Sequence, residues 1–290
     1  MLNNVIKDKN NRLEIIDYIK NLLIEVNNEI ILPYFNNLNS GDVTTKNSND
    51  DFVSIADKKS EEFISKKLNG FLNIKNFIGE ENSFKDKKKY VSLLNEPLLW
   101  VVDPIDGTKN YINGQETFCS MISLVNHSIP IAAFIFHPLK KNFIYAFKGF
   151  GAYSIDLKKN EECRLFITSS KSDKILGSGG TKGIPEHYRK IILNNLRENT
   201  QRLFIGSAGI ETIMLVKNEI QFIFHGRVTP WDHSPLDLII KEAGGSVYMA
   251  RNKEEFNIKS VGPILASSSI DIWEKVREII IPKDNPFRNV

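Results

Sequence analysis

One six-residue segment, Asp103-Pro104-Ile105-Asp106-Gly107-Thr108, constrains the fold of this chain more than any other. It follows an apolar run at residues 98–102, which has the pattern of a buried strand. The proline stiffens the turn, the glycine allows a sharp change of direction, and the threonine can begin a helix. Two carboxylates therefore end a buried strand beside free backbone N–H groups, which suits divalent cations and phosphate. The alternative is an acidic surface turn.

Two other segments place a carboxylate at the end of a predicted element. Glu80 follows a short apolar run at residues 77–78, and Asp232 precedes a helical pattern that ends at Gly244. Taken singly, Glu80 is typical of a solvated loop and Asp232 of a helix N-cap. Functional residues concentrate at such boundaries, so the three segments together predict one cluster that shares a cation.

The spacing of apolar residues predicts an α/β (α+β) chain. Helical periodicity covers residues 12–36 and 57–69, and in the second helix it predicts Phe63, Ile64 and Leu68 inward and the lysines and glutamates outward. Residues 118–155 instead contain short β-rich runs separated by turns, as in an antiparallel meander. Strands and helices then alternate to about residue 280. This order predicts sheets layered between helices, with an N-terminal lobe at 1–160 and a C-terminal lobe at 161–290 that complete one active site.

Composition excludes several classes of function. The net charge of +3, from 38 basic and 35 acidic residues, gives no argument for nucleic acid, and the basic run at residues 85–89 is typical of a solvated loop. Two cysteines, Cys119 and Cys163, predict neither a disulfide framework nor a zinc site. The N-terminus lacks a signal-peptide core and no apolar stretch approaches the roughly 20 residues that span a bilayer, so we expect a cytoplasmic protein without a membrane partner.

In combination, these segments resemble the inositol monophosphatase family of magnesium-dependent, lithium-sensitive phosphatases. The resemblance rests on GEE at 79–81, DPIDGT at 103–108, and WD at 231–232 before a helix that ends in EAGG at 242–245. Weaker marks are Lys46, VSIAD at 53–57 and GSA at 206–208, so the resemblance covers positions 46 to 245. It implies the αβαβα layered sandwich shared with fructose bisphosphatase, a large antiparallel sheet from the N-terminal half, and a homodimer.

The same resemblance implies two or three Mg²⁺ ions in the active site. Glu80, Asp103 and the backbone carbonyl of Ile105 would bind the first ion. Asp103, Asp106 and Asp232 would bind the second, so that Asp103 bridges the two. A third, weaker ion would reach Glu80 partly through water.

Roles in catalysis follow from the resemblance as well. Glu80 and Thr108 would orient and deprotonate the attacking water, and the backbone N–H groups of Gly107 and Thr108 would hold the phosphate, as helix N-termini do. Asp57 has two interpretations. It is either a helix-capping acid or, as the resemblance favours, a residue near the metals that tunes Thr108.

Substrate contacts are implied at Lys46, Asp106, Gly107, Thr108, Gly206, Ala208 and His225. In the inositol-specific branch of the family, a glutamate seven residues before the last metal aspartate binds a ring hydroxyl. That position is His225 here, and a histidine cannot replace a carboxylate acceptor pair. His225 could equally be a strand-end residue without a ligand, Lys46 and Arg227 could be solvated, and His233 could face the cleft or the solvent.

Two classes of function remain open from the sequence. The first is a phosphomonoesterase acting on a small phosphorylated metabolite, with inositol 1-phosphate or a related polyol or sugar phosphate ahead of two alternatives. Those alternatives are a 3′(2′),5′-bisphosphate of sulfur metabolism and histidinol phosphate. The second class is a regulatory binding protein that retains the fold, against which the complete set of acidic residues argues.

Overall fold

Helices and strands alternate along the computed structural model, which describes residues 6–45, 52–83, 86–168 and 175–281. The helices are α1 (Lys9–Val26), α2 (Leu32–Tyr34), α3 (Ile55–Leu68), α4 (Glu80–Ser83), α5 (Lys87–Leu93), α6 (Thr108–Ile112), α7 (Glu186–Asn199), α8 (Ala208–Val216), α9 (Pro230–Glu242) and α10 (Ile270–Ile280). A π-helical turn, Asn27–Ile31, joins α1 to α2, and 3₁₀ turns cover Ser40–Asp42 and Phe71–Asn73. The strands are β1 (Val43–Thr45), β2 (Phe52–Ser54), β3 (Phe77–Gly79), β4 (Leu98–Asp106), β5 (Cys119–Asn126), β6 (Ile129–His137), β7 (Asn142–Phe147), β8 (Gly151–Asp156), β9 (Glu161–Leu165), β10 (Leu176–Gly180), β11 (Gln201–Leu203), β12 (Phe222–His225), β13 (Ser246–Met249) and β14 (Ile264–Ser267).

The larger sheet has seven strands in the order β3-β4-β5-β6-β7-β8-β9. The pair β3–β4 is parallel and every later pair is antiparallel, which confirms the meander predicted over residues 118–155. Four of the five residues of β9 are exposed, so this strand carries little hydrophobic signal. The sheet therefore continues to Leu165, past the lobe boundary predicted between residues 160 and 161. The division into two lobes stays a prediction.

Apolar side chains from helices cover both faces of the two sheets. Ile19 and Leu23 of α1 pack with Phe134 on one face of the larger sheet. Helices α8 and α9 lie between that sheet and the five-stranded sheet β11-β10-β12-β14-β13. Trp273 of α10 packs with Phe222 on the outer face of the smaller sheet. The layers are thus helix, sheet, helix, sheet, helix, as predicted from the sequence.

Helix α9 owes its central position to its composition. Four apolar residues, Leu236, Leu238, Ile239 and Ile240, are buried although they point in different directions around the helix. A helix with apolar residues on most of its sides belongs in the interior, between two sheets. Within the described ranges, no helix combines the length and the apolar character needed to cross a bilayer.

The basic run beside residue 86 differs from its predicted conformation. Residues Lys87–Leu93 form α5 instead of a loop, and the Asp86 carboxylate caps it by accepting a hydrogen bond from the Lys89 N–H at 3.0 Å. An N-cap aspartate satisfies a backbone donor that the first helical turn leaves open. The prediction of a loop was therefore wrong, because a run of lysines shows no apolar periodicity from which a short capped helix could be recognised.

Candidate active site

A cavity of about 270 Å³ opens where the ends of β3, β4 and β12 meet the beginnings of α6, α8 and α9. It brings together the three acidic segments that are far apart in the sequence. The predicted site residues that line it are Glu80, Asp103, Ile105, Asp106, Gly107, Thr108, Gly206, Ala208, His225 and Asp232. Asp57 lies behind Thr108, and Lys46 lies outside the described residues.

The acidic group at the end of β4 depends on an irregularity in the strand. Carboxylate oxygens of Asp103, Asp106 and Asp232 lie within 4.8 Å of one another. Side chains alternate between the faces of a regular strand, so residues three apart would point in opposite directions. The pairing of β4 with β5 shifts register between Asp103 and Asp106, and such a bulge re-aims side chains. The Asp103 Oδ1 atom also accepts a hydrogen bond from the Ile105 N–H at 3.0 Å, which holds this turn in place.

Burial and mutual repulsion make these carboxylates hard to ionise. Burial is the main cause that raises the pKa of Asp106 to about 6 and that of Asp232 to about 7. Burial also raises the pKa of Asp103 well above its ordinary value, and the charges of Glu80, Asp106 and Asp232 add to this effect. A hard divalent cation would compensate the negative charge of these three carboxylates, and carboxylate oxygens are its preferred ligands. The residues present therefore fit such a cation.

Asp232→Asn is expected to stabilise the metal-free protein at about pH 8. A carboxyl whose pKa is raised on folding stabilises the fold at low pH, and this contribution is lost as the pH rises through the folded pKa of about 7. The amide removes a buried charge above that pH, so Tm in the presence of a chelator should rise by about 3 °C or more. At about pH 5 the gain should shrink, because the wild-type carboxyl is then largely protonated. Added Mg²⁺ should stabilise the wild type more than the variant. A lower Tm for the variant at the higher pH would contradict this electrostatic account.

Asp106 connects the larger sheet to the beginning of α8. Its carboxylate accepts hydrogen bonds from the Ser207 hydroxyl at 2.5 Å and from the backbone N–H groups of Ala208 and Gly209 at 3.2 and 2.7 Å. These bonds oppose the effect of burial on the Asp106 pKa. They also satisfy N–H groups that the first helical turn leaves open. The GSA segment at 206–208 therefore positions a candidate metal ligand.

Gly209→Ala is expected to destabilise the protein by roughly 1–3 kcal/mol, the usual cost of overpacking a core. A Cβ atom at this position would lie 2.3 Å from the Cys119 Sγ atom and 2.7 Å from the Met121 Sδ atom. Urea denaturation would measure the change. Gly41→Ala is the matched control, since nothing lies within 4 Å of its added Cβ. A Gly209→Ala protein as stable as the wild type would show that the contact between α8 and β5 relaxes freely.

A buried glutamate holds the turn that carries Glu80. The Glu61 carboxylate accepts hydrogen bonds from the backbone N–H groups of Glu81 and Asn82 at 2.7 and 3.0 Å. A Cβ atom on Gly79 would lie 2.2 Å from the Glu61 carboxyl carbon, so the glycine makes room for this contact. The helical periodicity predicted that the glutamates of α3 point outward. For Glu61, which is 1% exposed, that prediction was wrong because Gly79 leaves space for its carboxylate.

Thr108 and Asp57 are joined by a hydrogen bond behind the cavity. The Thr108 Oγ1 atom lies 3.2 Å from Asp57 Oδ1 and 3.0 Å from the Ile105 carbonyl oxygen. The other Asp57 oxygen accepts from the Ser54 N–H at 2.8 Å, as part of a capping box at the start of α3. Asp57 therefore both caps α3 and contacts Thr108, and its role near the metals stays a prediction. Between these elements, Gly107 has φ +90° and lies too close to the Thr117 carbonyl for a side chain.

Three titratable side chains that line the cavity, Glu211, His225 and His233, form a hydrogen-bonded chain. His225 Nε2 lies 2.6 Å from Glu211 Oε2, and His225 Nδ1 lies 2.9 Å from His233 Nε2. His233 Nδ1 in turn contacts the backbone of Thr229 at 3.0 Å. His233, at 1% exposure, thus faces His225 and not the solvent, which settles the choice that the sequence left open.

This chain changes the electrostatics of both histidines. Burial opposes charge on His225, but the charge and hydrogen bond of Glu211 outweigh it and raise the His225 pKa. Burial and the neighbouring charge of His225 lower the His233 pKa well below its ordinary value. Glu211 was not singled out from the sequence. The available signal was one acidic residue inside the otherwise apolar helix α8.

The layered fold and the acidic cavity between its sheets define a class of metal-dependent phosphatases, and comparison with known proteins identifies the family. The profile of the Inositol monophosphatase family matches residues 13–283. This chain belongs to the inositol monophosphatase family, whose members are phosphatases that hydrolyse phosphate monoesters.

Individual relatives agree with this assignment. An inositol monophosphatase of Dictyostelium discoideum is 30% identical over 202 residues, which cover 68% of this chain and 71% of the relative. The Nus factor SuhB of Xylella fastidiosa is 24% identical over 258 residues, covering 87% and 89%. The solved structure of a Thermotoga maritima IMPase superposes with a TM-score of 0.76 at 22% identity, covering 92% of this chain and 96% of that one. The last comparison confirms the fold.

Proposed function

We propose that this protein is a Mg²⁺-dependent phosphomonoesterase that hydrolyses inositol 1-phosphate or a related polyol or sugar phosphate. The observation that carries the proposal is the group formed by buried Asp103 and Asp106 with half-buried Asp232, whose carboxylate oxygens converge within 4.8 Å and whose pKa values are all raised. Such a group costs stability unless cations compensate its charge. A structural role alone would not require it.

The proposed ligands are those that the family resemblance implies, and all of them line the cavity. Glu80, Asp103 and the Ile105 carbonyl would hold one ion, and Asp103, Asp106 and Asp232 would hold a second. A third, weaker ion would lie near Glu80. Bound Mg²⁺ ions would lower the pKa of a water ligand and would neutralise charge on the phosphate and on the leaving oxygen.

The other side chains then act on water and phosphate. Glu80 would accept a proton from the attacking water, and the Thr108 hydroxyl, held by Asp57, would orient that water. The turn at Gly107 and Thr108 would bind phosphate oxygens through its backbone N–H groups, as strand-to-helix turns commonly do. Attack would proceed in line with the leaving oxygen, without a phosphoenzyme.

Substrate contacts remain part of the proposal. Gly206, Ala208 and His225 line the cavity, as do the basic residues Lys109, Lys182 and Arg227. Lys46, which lies outside the described residues, is proposed to contact the substrate. The homodimer and the cytoplasmic location also stay predictions, and light scattering in solution would measure the oligomeric state.

A phosphate-release assay across a panel of esters tests the proposed function. The panel contains inositol 1-phosphate, a sugar phosphate, a nucleoside 3′,5′-bisphosphate and histidinol phosphate. Hydrolysis should require Mg²⁺, stop on chelation and recover when Mg²⁺ is restored. Millimolar-range lithium should inhibit, as expected for a monovalent cation that enters the second metal site. Lack of turnover on every ester with Mg²⁺ present would favour a second candidate, a role through binding another protein. The similarity to a Nus factor SuhB supports that candidate.

A further inference from the structure

Glu211 is a buried carboxylate that the proposed catalytic steps do not use. It is 4% exposed, it lies on the apolar helix α8, and it lines the same cavity as Asp106 and Asp232. Burying a carboxylate is costly unless hydrogen bonds compensate it. Its place in the cavity wall therefore needs an explanation beyond packing.

Two side chains hold the Glu211 carboxylate in a fixed orientation. Its Oε1 atom accepts a hydrogen bond from the Ser178 hydroxyl in the middle of β10. Its Oε2 atom lies 2.6 Å from His225 Nε2 at the end of β12. Strands β10 and β12 are neighbours in the smaller sheet, so both supports come from one rigid element. A carboxylate supported in this way is well placed to recognise a ligand group.

Hydrogen-bonding capacity distinguishes Glu211 from His225. Each imidazole nitrogen makes one in-plane hydrogen bond, and both nitrogens of His225 are engaged, one with Glu211 and one with His233. A carboxylate has roughly four acceptor sites, and the contacts with Ser178 and His225 use two of them. Glu211 therefore retains acceptor capacity at the cavity wall, whereas His225 serves to orient it.

We infer that Glu211 determines substrate specificity by accepting a hydrogen bond from a hydroxyl group on the alcohol portion of the substrate. This inference rests on the proposed phosphatase function and deepens it. It assigns the substrate to esters whose alcohol carries further hydroxyl groups, and it disfavours simple alkyl phosphates. A buried acceptor of this kind strongly discriminates against an analogue that lacks the hydroxyl, because the acceptor then loses its water without gaining a partner.

Paired substrates test the inference directly. Inositol 1-phosphate and cyclohexyl phosphate share a six-membered ring but differ in the ring hydroxyls. For Glu211→Gln, kcat/KM on inositol 1-phosphate should fall by about tenfold or more, whereas on cyclohexyl phosphate it should change by less than about threefold. Glu211→Asp keeps the charge near the acidic group but withdraws the acceptor by one methylene, and it should show the same selective loss. Glu219→Gln, an exposed change just beyond α8, is the matched control and should alter neither value.

The outcomes separate this inference from the proposed function. Equal losses on both esters in Glu211→Gln and Glu211→Asp, or no loss on either, would overturn the assignment of Glu211. Mg²⁺-dependent hydrolysis by the wild type without preference for inositol 1-phosphate over cyclohexyl phosphate would also overturn it, while the phosphatase function would stand. Turnover of no ester by the wild type, in this pair or in the wider panel, would instead remove the proposed function and this inference with it.

Discussion

Replacing Asp103 with asparagine is expected to lower kcat by at least about a thousandfold, equivalent to roughly 4 kcal/mol of transition-state stabilisation. Asp103 is 2% exposed, its carboxylate lies within 4.8 Å of those of Asp106 and Asp232, and it interacts electrostatically with Glu80. It is the one side chain proposed to bind both principal ions, so its loss would affect activation of water and stabilisation of the leaving oxygen together. Phosphate release at saturating substrate and Mg²⁺ would measure the effect.

The matched control for this change is Asp17→Asn, which alters the same residue type on the exposed face of α1. It should leave kcat within about twofold, in line with most surface substitutions. Thermal unfolding should show that Asp103→Asn remains folded, since the amide removes a buried charge and not a large volume. Activity of Asp103→Asn within about tenfold of the wild type would contradict a ligand shared by two ions.

Glu80→Gln should reduce kcat by about 100-fold or more and change KM much less, as expected for a residue that accepts a proton in the transition state. The Glu80 carboxyl lies in the cavity beside Asp103, and its charge raises the pKa of both Asp103 and Asp232. The amide keeps the shape of the side chain but cannot take a proton. Steady-state kinetics over a range of Mg²⁺ concentrations would separate a loss of catalysis from a loss of metal affinity.

Glu62→Gln provides the control for Glu80, because Glu62 is exposed on α3 and forms an ion pair with Lys66 one turn further along the helix. A surface pair of this kind contributes little to stability. If Glu80→Gln raised KM while kcat stayed constant, Glu80 would stabilise the bound substrate and the transition state equally. Its proposed role with the attacking water would then be wrong.

The sequence alone predicted the layered fold and the meander of the larger sheet. Burial imposes a period on apolar residues that is visible without any tertiary information. Strand β9 and helix α5 were not predicted, because neither shows a clear apolar period. Strand β9 is exposed along most of its length, and helix α5 begins in a run of lysines. Elements that bury few side chains leave little pattern in the sequence.

The candidate metal ligands were also predictable, because Asp103, Asp106 and Asp232 stand in short segments where turn chemistry and acidic residues coincide. The identity of these acidic residues can be recognised from the local sequence around each one. Their convergence within 4.8 Å cannot be recognised in this way, since it depends on the shifted register in β4 and on the position of α9 between the sheets.

Only the tertiary structure revealed what Glu61 and Glu211 do. Each is a single acidic residue on a helix, and each makes its defining contacts with residues distant in the chain: Glu61 with the turn after Gly79, and Glu211 with Ser178 and His225. Local propensity cannot encode the space that a glycine leaves on another element, nor the alignment of two neighbouring strands. The sequence by itself thus determined the type of fold and the acidic centre. The packing of distant elements decided which further carboxylates support that centre and which one faces the substrate, because those contacts exist only when the layers are assembled.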